Sequence, residues 1–344
     1  MRSTDTETLM QIGEFGLIRR IRDLLEREGV KSPSVTVGIG DDTASFVPRG
    51  GHELLVTCDS VVEGRHFLPE HITPFDLGRR AMALNISDIG AMGGHPLYAL
   101  ISLGLKGDTQ VSYIENMFRG FVAELNPFQA SVIGGNLTKS GNGIFIDVTL
   151  IGEVEGGKKV RRSTARPGDA VVVTGYPGES AAGLLLLVES RREEGLKEHP
   201  LIKAYNRPSH RAKEGEAVGR AGLATAMIDT SDGFLGDLGH ICEESRVGAR
   251  LFYQRFPVSD GMRDAARLLR KEPQEFFMGD SDDYELIITC HKGHVNEIKS
   301  LIATVFSGPV TEVGEIVDIR EGLRLVLSDG SERKLEFSGW DHFR

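Results

Sequence analysis

The stretch from Val37 to Asp59, VGIGDDTASFVPRGGHELLVTCD, constrains this chain more than any other. An Asp pair, Asp41-Asp42, follows a Gly-Ile-Gly turn, and a third carboxylate, Asp59, ends the next apolar run. Folding alone has no use for three carboxylates at the tips of neighbouring strands. Like charges held close repel and raise one another's pKa, so the arrangement costs stability unless cations neutralise it. The stretch reads as a divalent-metal platform, to which the rest of the chain brings a phosphate ligand.

Around it the pattern alternates helix and strand. Phe15, Ile18, Ile21, Leu24 and Leu25 recur at helical spacing ahead of Gly29, which predicts an amphipathic helix. Strands are expected at Val35 to Ile39 and Glu53 to Cys58. Thr73 suits a helix N-cap and Pro74 the first helical position, with Gly93-Gly94 as the stop. On that helix Ala81, Leu84, Asn85, Asp88 and Met92 share a face, so Asp88 sits within a core-facing stripe. An unpaired carboxylate there is expensive, and a metal or an Arg partner would resolve the conflict. Further on, Leu97 to Leu105 reads as a strand and Val111 to Leu125 as a helix. Strands at Gln129 to Ile133 and Ile144 to Val154 are expected to be joined through Gly134-Gly135-Asn136-Leu137-Thr138.

This order predicts an α+β first domain, residues 1–155, with helices on one face of a sheet. The basic, Gly-bearing segment from Glu155 to Asp169 is the expected boundary. Residues 156–344 then alternate strands and helices as a second domain. Within them Asp229-Thr230-Ser231-Asp232-Gly233 follows a strand and precedes a helix.

With 344 residues, two domains and ample core are expected. The net charge of -10 argues against a nucleic-acid binder that relies on a basic surface. No apolar run is long enough to span a bilayer, and the N-terminal residues lack the pattern of a signal peptide. Cys58, Cys242 and Cys290 lack metal-ligand spacing and read as reduced, buried thiols of a cytoplasmic protein.

Two phosphate motifs nearly match and fail. Gly38 to Thr43 begins like a dinucleotide fingerprint, but its third Gly is missing and two Asp would face the pyrophosphate. Gly152 to Lys159 has the Gly and Lys spacing of a P-loop but ends in Lys where Ser or Thr should stand. The positive signal is the acidic set: Asp41, Asp42, Asp59 and Asp88, then Asp229 and Asp232. Each alone reads as a turn residue or helix cap, and Asp229 and Asp232 in particular could cap the helix that follows. Jointly they suit Mg²⁺, which bridges carboxylates to substrate phosphates. His66 reads either as a substrate contact or as a surface loop residue. The Gly279 to Glu285 cluster is too acidic for a comfortable turn unless solvated. Trp340, in a C-terminal aromatic cluster, suggests docking, and Arg161, Arg162 and Arg166 suggest a phosphate clamp or a solvated linker.

At these residues the sequence resembles the thiamine-monophosphate kinase family of the aminoimidazole-ribonucleotide-synthetase-like (PurM-like) ATP-binding superfamily. The resemblance includes Gly13-Glu14-Phe15, IGDDTA, Thr57-Cys58-Asp59 with GRHF, and Asn85-Ile86-Ser87-Asp88 with AMGG. It continues through Arg162-Ser163 before RPGD, PGESAAG, IDTSDG, DDYEL and the terminal GWDHF. It implies ATP-dependent phosphorylation of thiamine monophosphate to thiamine diphosphate by direct transfer assisted by several Mg²⁺ ions. It further implies a two-domain PurM-like fold with an N-terminal sheet forming a shared barrel across a homodimer. The C-terminal domain would be an α/β sandwich, with the active site in the cleft between the domains.

Carried over by position, the implied metal set is Asp42, Thr57, Cys58 (through its main-chain oxygen), Asp59, Asp88, Asn136, Asp229 and Asp232. Gly135, Asn136, Arg162 and Ser231 are the implied ATP contacts. His66, Asp282 and Trp340 are those to thiamine monophosphate. Asp42, Asp59, Asp88 and Arg162 would serve the transfer itself. Asn136 stands where many members have Asp, and Asp282 where many have Glu, so one metal would be held without a charge and one substrate contact is shorter. The alternatives are another ATP-dependent synthetase of the superfamily, or a non-catalytic binder of thiamine phosphates or nucleotides.

Overall fold

A computed structural model describes residues 7–37, 45–190 and 199–335. Asp41, Asp42 and Trp340 lie outside the described residues. The chain divides into two compact units, residues 1–89 with 95–156 and residues 90–94 with 157–344. The short 90–94 segment belongs to the second unit although it begins within the helix Pro74–Ala91.

The first unit contains α1 (Leu9–Glu28), β1 (Val35–Val37), β2 (Ser45–Phe46), β3 (His52–Val62) and α2 (Pro74–Ala91). It continues with β4 (His95–Leu105), α3 (Val111–Leu125), β5 (Ser131–Lys139) and β6 (Phe145–Glu155). The expected amphipathic helix lies within α1, with Leu17, Ile21 and Leu24 buried, and Gly29 as its C-cap. β3, β6, β4 and β5 form a four-stranded sheet in that order. The Gly134 to Thr138 run, expected as a connection, is instead part of β5, paired parallel to β4 after a bulge at Ile133-Gly134. Glycine and Asn disfavour a strand locally, and the ladder to β4 overrides that preference.

α2 covers one face of this sheet. It starts as expected, Thr73 Oγ1 accepting the Asp76 N–H at 3.1 Å. Against α3 it crosses at glycines: a Cβ on Gly78 would lie 2.0 Å from the Met117 carbonyl oxygen, and one on Gly120 2.1 Å from that of Phe75. That contact fixes α2 in place, and with it Asn85 and Asp88. The helix is buried over most of its surface, whereas Leu84 and Asp88 are half-buried.

The second unit contains β7 (Asp169–Thr174), α4 (Glu179–Ser190), α5 (Pro200–Asn206), α6 (Ala212–Ala221), β8 (Ala226–Asp229) and α7 (Phe234–Ser245). β9 (Val247–Phe252), α8 (Asp260–Leu269), α9 (Gln274–Met278) and β10 (Leu286–His291) come next. α10 (Val295–Ile302), β11 (Val310–Asp318), β12 (Leu323–Val326) and β13 (Glu332–Leu335) complete it. Its seven strands form one mixed sheet in the order β13-β12-β9-β11-β7-β10-β8. Alternation along β7 sorts the core: Val171 and Val173 pack with α7 on one face, Ala170 and Val172 with α6 and α10 on the other. A separate cluster joins α4, α5, α8 and Phe276. Each fully buried Val or Leu contributes roughly 1.5–3 kcal/mol relative to exposure, so the ends of β8 and β10 emerge from a rigid core.

Cys242 and Cys290 are buried free thiols, whereas Cys58, expected to be buried, is exposed. β3 is an edge strand, and residues at even positions along it point away from α2. No helix among the described residues is long and apolar enough to cross a membrane.

Candidate phosphoryl-transfer site

In the first unit, β3 splits its polar residues between two faces. Thr57 and Asp59 point toward α2, and Cys58 points away, because side chains alternate along a strand. The Thr57 hydroxyl donates to Asp88 Oδ2 at 2.5 Å. The Asp59 N–H donates to Asn85 Oδ1 at 3.2 Å. The half-buried Asp88 thus accepts from a hydroxyl on the neighbouring strand. Thr57, Asp59 and Asp88 form one polar patch at the β3–α2 contact, rich in hard oxygen donors of the kind Mg²⁺ takes.

Cys58 belongs to other surroundings. Its thiol donates to Asp147 Oδ1 at 3.0 Å, and that carboxylate raises the thiol pKa above its ordinary value. The side chain is thus turned away from Thr57 and Asp59, and a ligand role for Cys58 is confined to its main-chain oxygen. Asp147 pairs across the sheet with Ser60 and Ser102, and Ser102 in turn with Asn136. Asn136 and Gly135 are exposed on β5. His66 is half-buried beyond the end of β3, its Nδ1 accepting the Val62 N–H at 3.1 Å. That bond fixes Nδ1 as the acceptor and leaves Nε2 to carry the proton of the neutral ring.

In the second unit, the turn after β8 holds Asp229, Ser231 and Asp232. Asp229 is only 1% exposed. The N-cap position of α7 is Gly233, without a side-chain cap, so neither Asp229 nor Asp232 occupies the capping position. The turn is held instead by Asp237, in the first turn of α7, whose Oδ2 accepts the N–H groups of Ser231 at 3.0 Å and Asp232 at 3.1 Å. Burial, and then the charge of Asp229, push the Asp237 carboxyl up to about 8. Asp232, Asp237 and His240 each bring one ligand atom within 4.8 Å of the others. Carboxylates that repel one another in this way fit a divalent cation chemically. Arg162 is exposed in a short 3-10 turn, and its carbonyl accepts from Ser245 Oγ at 2.7 Å.

The acidic run at Asp280 to Glu285 is not simply solvated. Glu285 makes a bidentate pair with Arg211 at 2.6 and 2.7 Å and accepts from Thr174 Oγ1 at 2.5 Å. Arg211 also lies 3.9 Å over the Phe306 ring. Asp283 accepts the N–H groups of Gly178 at 2.6 Å and Ser180 at 2.7 Å, at the start of α4. Asp282 accepts from the Ser180 hydroxyl and borders a small cavity with Tyr176, Glu179, Arg207 and Arg211.

Within each unit the structure therefore gathers sequence-predicted residues: Thr57, Asp59 and Asp88 in the first, Asp229, Ser231 and Asp232 in the second. Asp237 and Asp147 escaped the sequence reading, and Asp283 was read only as part of the acidic cluster. Asp237 carried a usable signal, a charge inside the apolar run FLGDLGHI, the same anomaly that marked Asp88.

Comparison with known proteins bears on both units. Residues 40–154 match the N-terminal domain of AIR synthase related proteins and residues 166–325 the C-terminal domain. The chain is 36% identical over 335 residues to a thiamine-monophosphate kinase of Aquifex aeolicus strain VF5, covering 97% of this chain and 99% of that protein. It resembles the crystal structure of the thiamine-monophosphate kinase of Stenotrophomonas maltophilia K279a with a TM-score of 0.78 at 31% identity, over 93% of this chain and 98% of that one. A further solved structure, AaThiL complexed with AMPPCP and TMP, superposes with a TM-score of 0.75 at 36% identity, over 99% of this chain and 100% of that one. With both PurM-like domains matched and relatives alike from end to end, the chain belongs to the thiamine-monophosphate kinase family.

Proposed function

We propose that this protein transfers the γ-phosphoryl group of ATP to the phosphate of thiamine monophosphate, giving thiamine diphosphate and ADP. The observation that carries this reading is the end-to-end likeness to thiamine-monophosphate kinases, one of them solved with AMPPCP and TMP. The side chains agree with it. An oxygen of the acceptor phosphate attacks the γ-phosphorus in line, the bond to the β–γ bridging oxygen breaks, and ADP leaves with the electron pair. The acceptor is already ionised at neutral pH, so no general base is required, and the acidic turns contain no Lys that could act as one.

Mg²⁺ held by Asp42, Thr57, the Cys58 main chain, Asp59, Asp88, Asn136, Asp229 and Asp232 would neutralise the phosphates and the charge that develops during transfer. Gly135, Asn136, Arg162 and Ser231 contact ATP in this reading, and His66, Asp282 and Trp340 hold thiamine monophosphate. The Thr57 hydroxyl fixes the orientation of Asp88, and Asp237 fixes the turn that presents Ser231 and Asp232. Residues 1–155 supply the metal and phosphate contacts, and residues 156–344 complete those for nucleotide and substrate. The free thiols accord with a cytoplasmic location, which cell fractionation checks.

The test is ADP release from ATP and Mg²⁺ with thiamine monophosphate, with thiamine, or with no acceptor. Thiamine monophosphate alone should stimulate release, with stoichiometric thiamine diphosphate. Binding without ADP release under saturating conditions would overturn the assignment in favour of a non-catalytic binder.

The reading includes a homodimer. Leu54 and Val56 are 46% and 67% exposed on β3, the strand that ends its sheet, and Phe145 on the neighbouring β6 is 37% exposed. An uncovered apolar edge of this kind invites a second copy. Light scattering at micromolar concentration should give twice the mass of one chain; the mass of a single chain would refute the dimer.

A further inference from the structure

Two turns of the second unit carry different duties in the function proposed above. The 229–233 turn holds Asp229, Ser231 and Asp232 for metal and nucleotide. The 281–285 turn holds Asp282 for thiamine monophosphate. They are fastened together at Thr230, which is fully buried. The Thr230 N–H donates to the Glu285 carbonyl at 2.8 Å, and its own carbonyl accepts the Tyr284 N–H at 2.8 Å. Its hydroxyl accepts the Glu285 N–H at 3.0 Å. Behind this junction β8 and β10 pair Asp229 with Leu286.

The junction is under tension. Tyr284 holds φ +55°, a left-handed conformation that a bulky side chain adopts only when its surroundings impose it. Gly233, φ +109°, presses against the other end of the second turn: a Cβ there would lie 2.6 Å from the Gly279 carbonyl oxygen. Asp282 itself is gripped from the opposite side, because Ser281 and Asp283 are bound to the start of α4 and the Ser180 hydroxyl donates to Asp282. The 281–285 turn is thus anchored at α4 and at Thr230, with Asp282 between the two anchors.

We infer that Thr230 is a positioning residue that sets the nucleotide-side Asp232 and the substrate-side Asp282 in one common register. Two of its three bonds come from the backbone and survive any substitution. The third is the hydroxyl's own. Without it the buried Glu285 N–H loses its acceptor, and the left-handed Tyr284 loses one of the restraints that hold it. Asp232 lies two residues after Thr230 and Asp282 two residues before Tyr284, so relaxation moves both. This inference rests on the functional reading above and adds a residue that the reading does not contain.

The test measures two dissociation constants by calorimetry, for thiamine monophosphate and for a non-hydrolysable ATP analogue with Mg²⁺. Asp282→Ala should weaken the first alone and Asp232→Asn the second alone. Thr230→Val, similar in shape but lacking the acceptor, should weaken both by roughly tenfold, and Thr230→Ser should restore both. A merely structural role would lower the melting temperature of Thr230→Val and leave both constants unchanged. That result, or a shift in only one constant, overturns the inference. If Thr230→Val does not fold, Thr230→Ala, which leaves room for a water on the Glu285 N–H, is read by the same two constants. A wild-type protein that binds neither ligand would instead bring down the functional reading and the inference with it.

Discussion

The acidic sets of the two units differ in how their charges are housed. In the first unit, Asp88 is half-buried and bound by a hydroxyl, and Asp59 offers its own N–H to Asn85. In the second, Asp229 and Asp237 are each 1% exposed and repel one another, with Asp237 tied to the backbone of the turn it shapes. The first set is carried on the surface of a strand and a helix that would fold the same way without it. The second is built into the core, so its charges are an expense of folding that a bound cation would relieve. Losses in activity and losses in stability should therefore separate between the two sets.

The largest effect tests the first half of that contrast. Asp88→Asn and Asp59→Asn keep shape and remove charge from half-exposed positions. Each should lower kcat by about 10²–10³-fold while the unfolding free energy changes by under about 1 kcal/mol. Near wild-type turnover in either would remove the metal platform from the mechanism. A smaller effect tests the second half. Asp237→Ala removes the buried carboxylate that accepts from the N–H groups of Ser231 and Asp232 and should cost about 1–3 kcal/mol in denaturant unfolding. Thr57→Val removes a comparable bond from the half-exposed Asp88, where water can replace it, and should cost less than about 1 kcal/mol. If the order is reversed, the distinction between the two housings fails.

The sequence disclosed the first set better than the second for a physical reason. Asp59 and Asp88 break an apolar pattern on elements whose period is plain, a strand and an amphipathic helix. The domain with the mixed sheet was also readable where its strands are short apolar runs, as at β7, β8 and β10. β5 was missed after Ile133 because Gly134, Gly135 and Asn136 lack β preference, and only the parallel ladder to β4 makes them a strand. Cys58 was placed inside because thiols usually are, but its even position on an edge strand turns it outward to Asp147. Asp283 and Glu285 looked like solvated charge. Their partners lie far back in the chain: the Gly178 N–H is 105 residues before Asp283, and Arg211 is 74 residues before Glu285. A contact that distant leaves no local trace. Asp42, Asp41 and Trp340 fall outside the described residues and are known only from their motifs.

The smallest effect sharpens the contrast through pH. Desolvation raises Asp283 from 3.8 to about 7, although the N–H groups of Gly178 and Ser180 and the Ser281 hydroxyl favour its charged form. A carboxyl with a raised folded pKa contributes fully below the unfolded value, where both states are protonated. Its contribution is lost as pH rises from about 3.8 toward 7 and is constant above that. Asp283→Asn has no proton to exchange and lacks this slope. The variant should be less stable at low pH, because its amide cannot accept from both backbone N–H groups. The stability gap between wild type and variant should then narrow by about 1–2 kcal/mol between pH 5 and pH 7 and stay level to pH 8. Taking the difference cancels the other carboxylates, so urea unfolding at each pH suffices. A gap that is constant or widens with pH would mean that Asp283 is charged throughout. The start of α4 would then hold an ordinary carboxylate, kept charged by the N–H groups of Gly178 and Ser180.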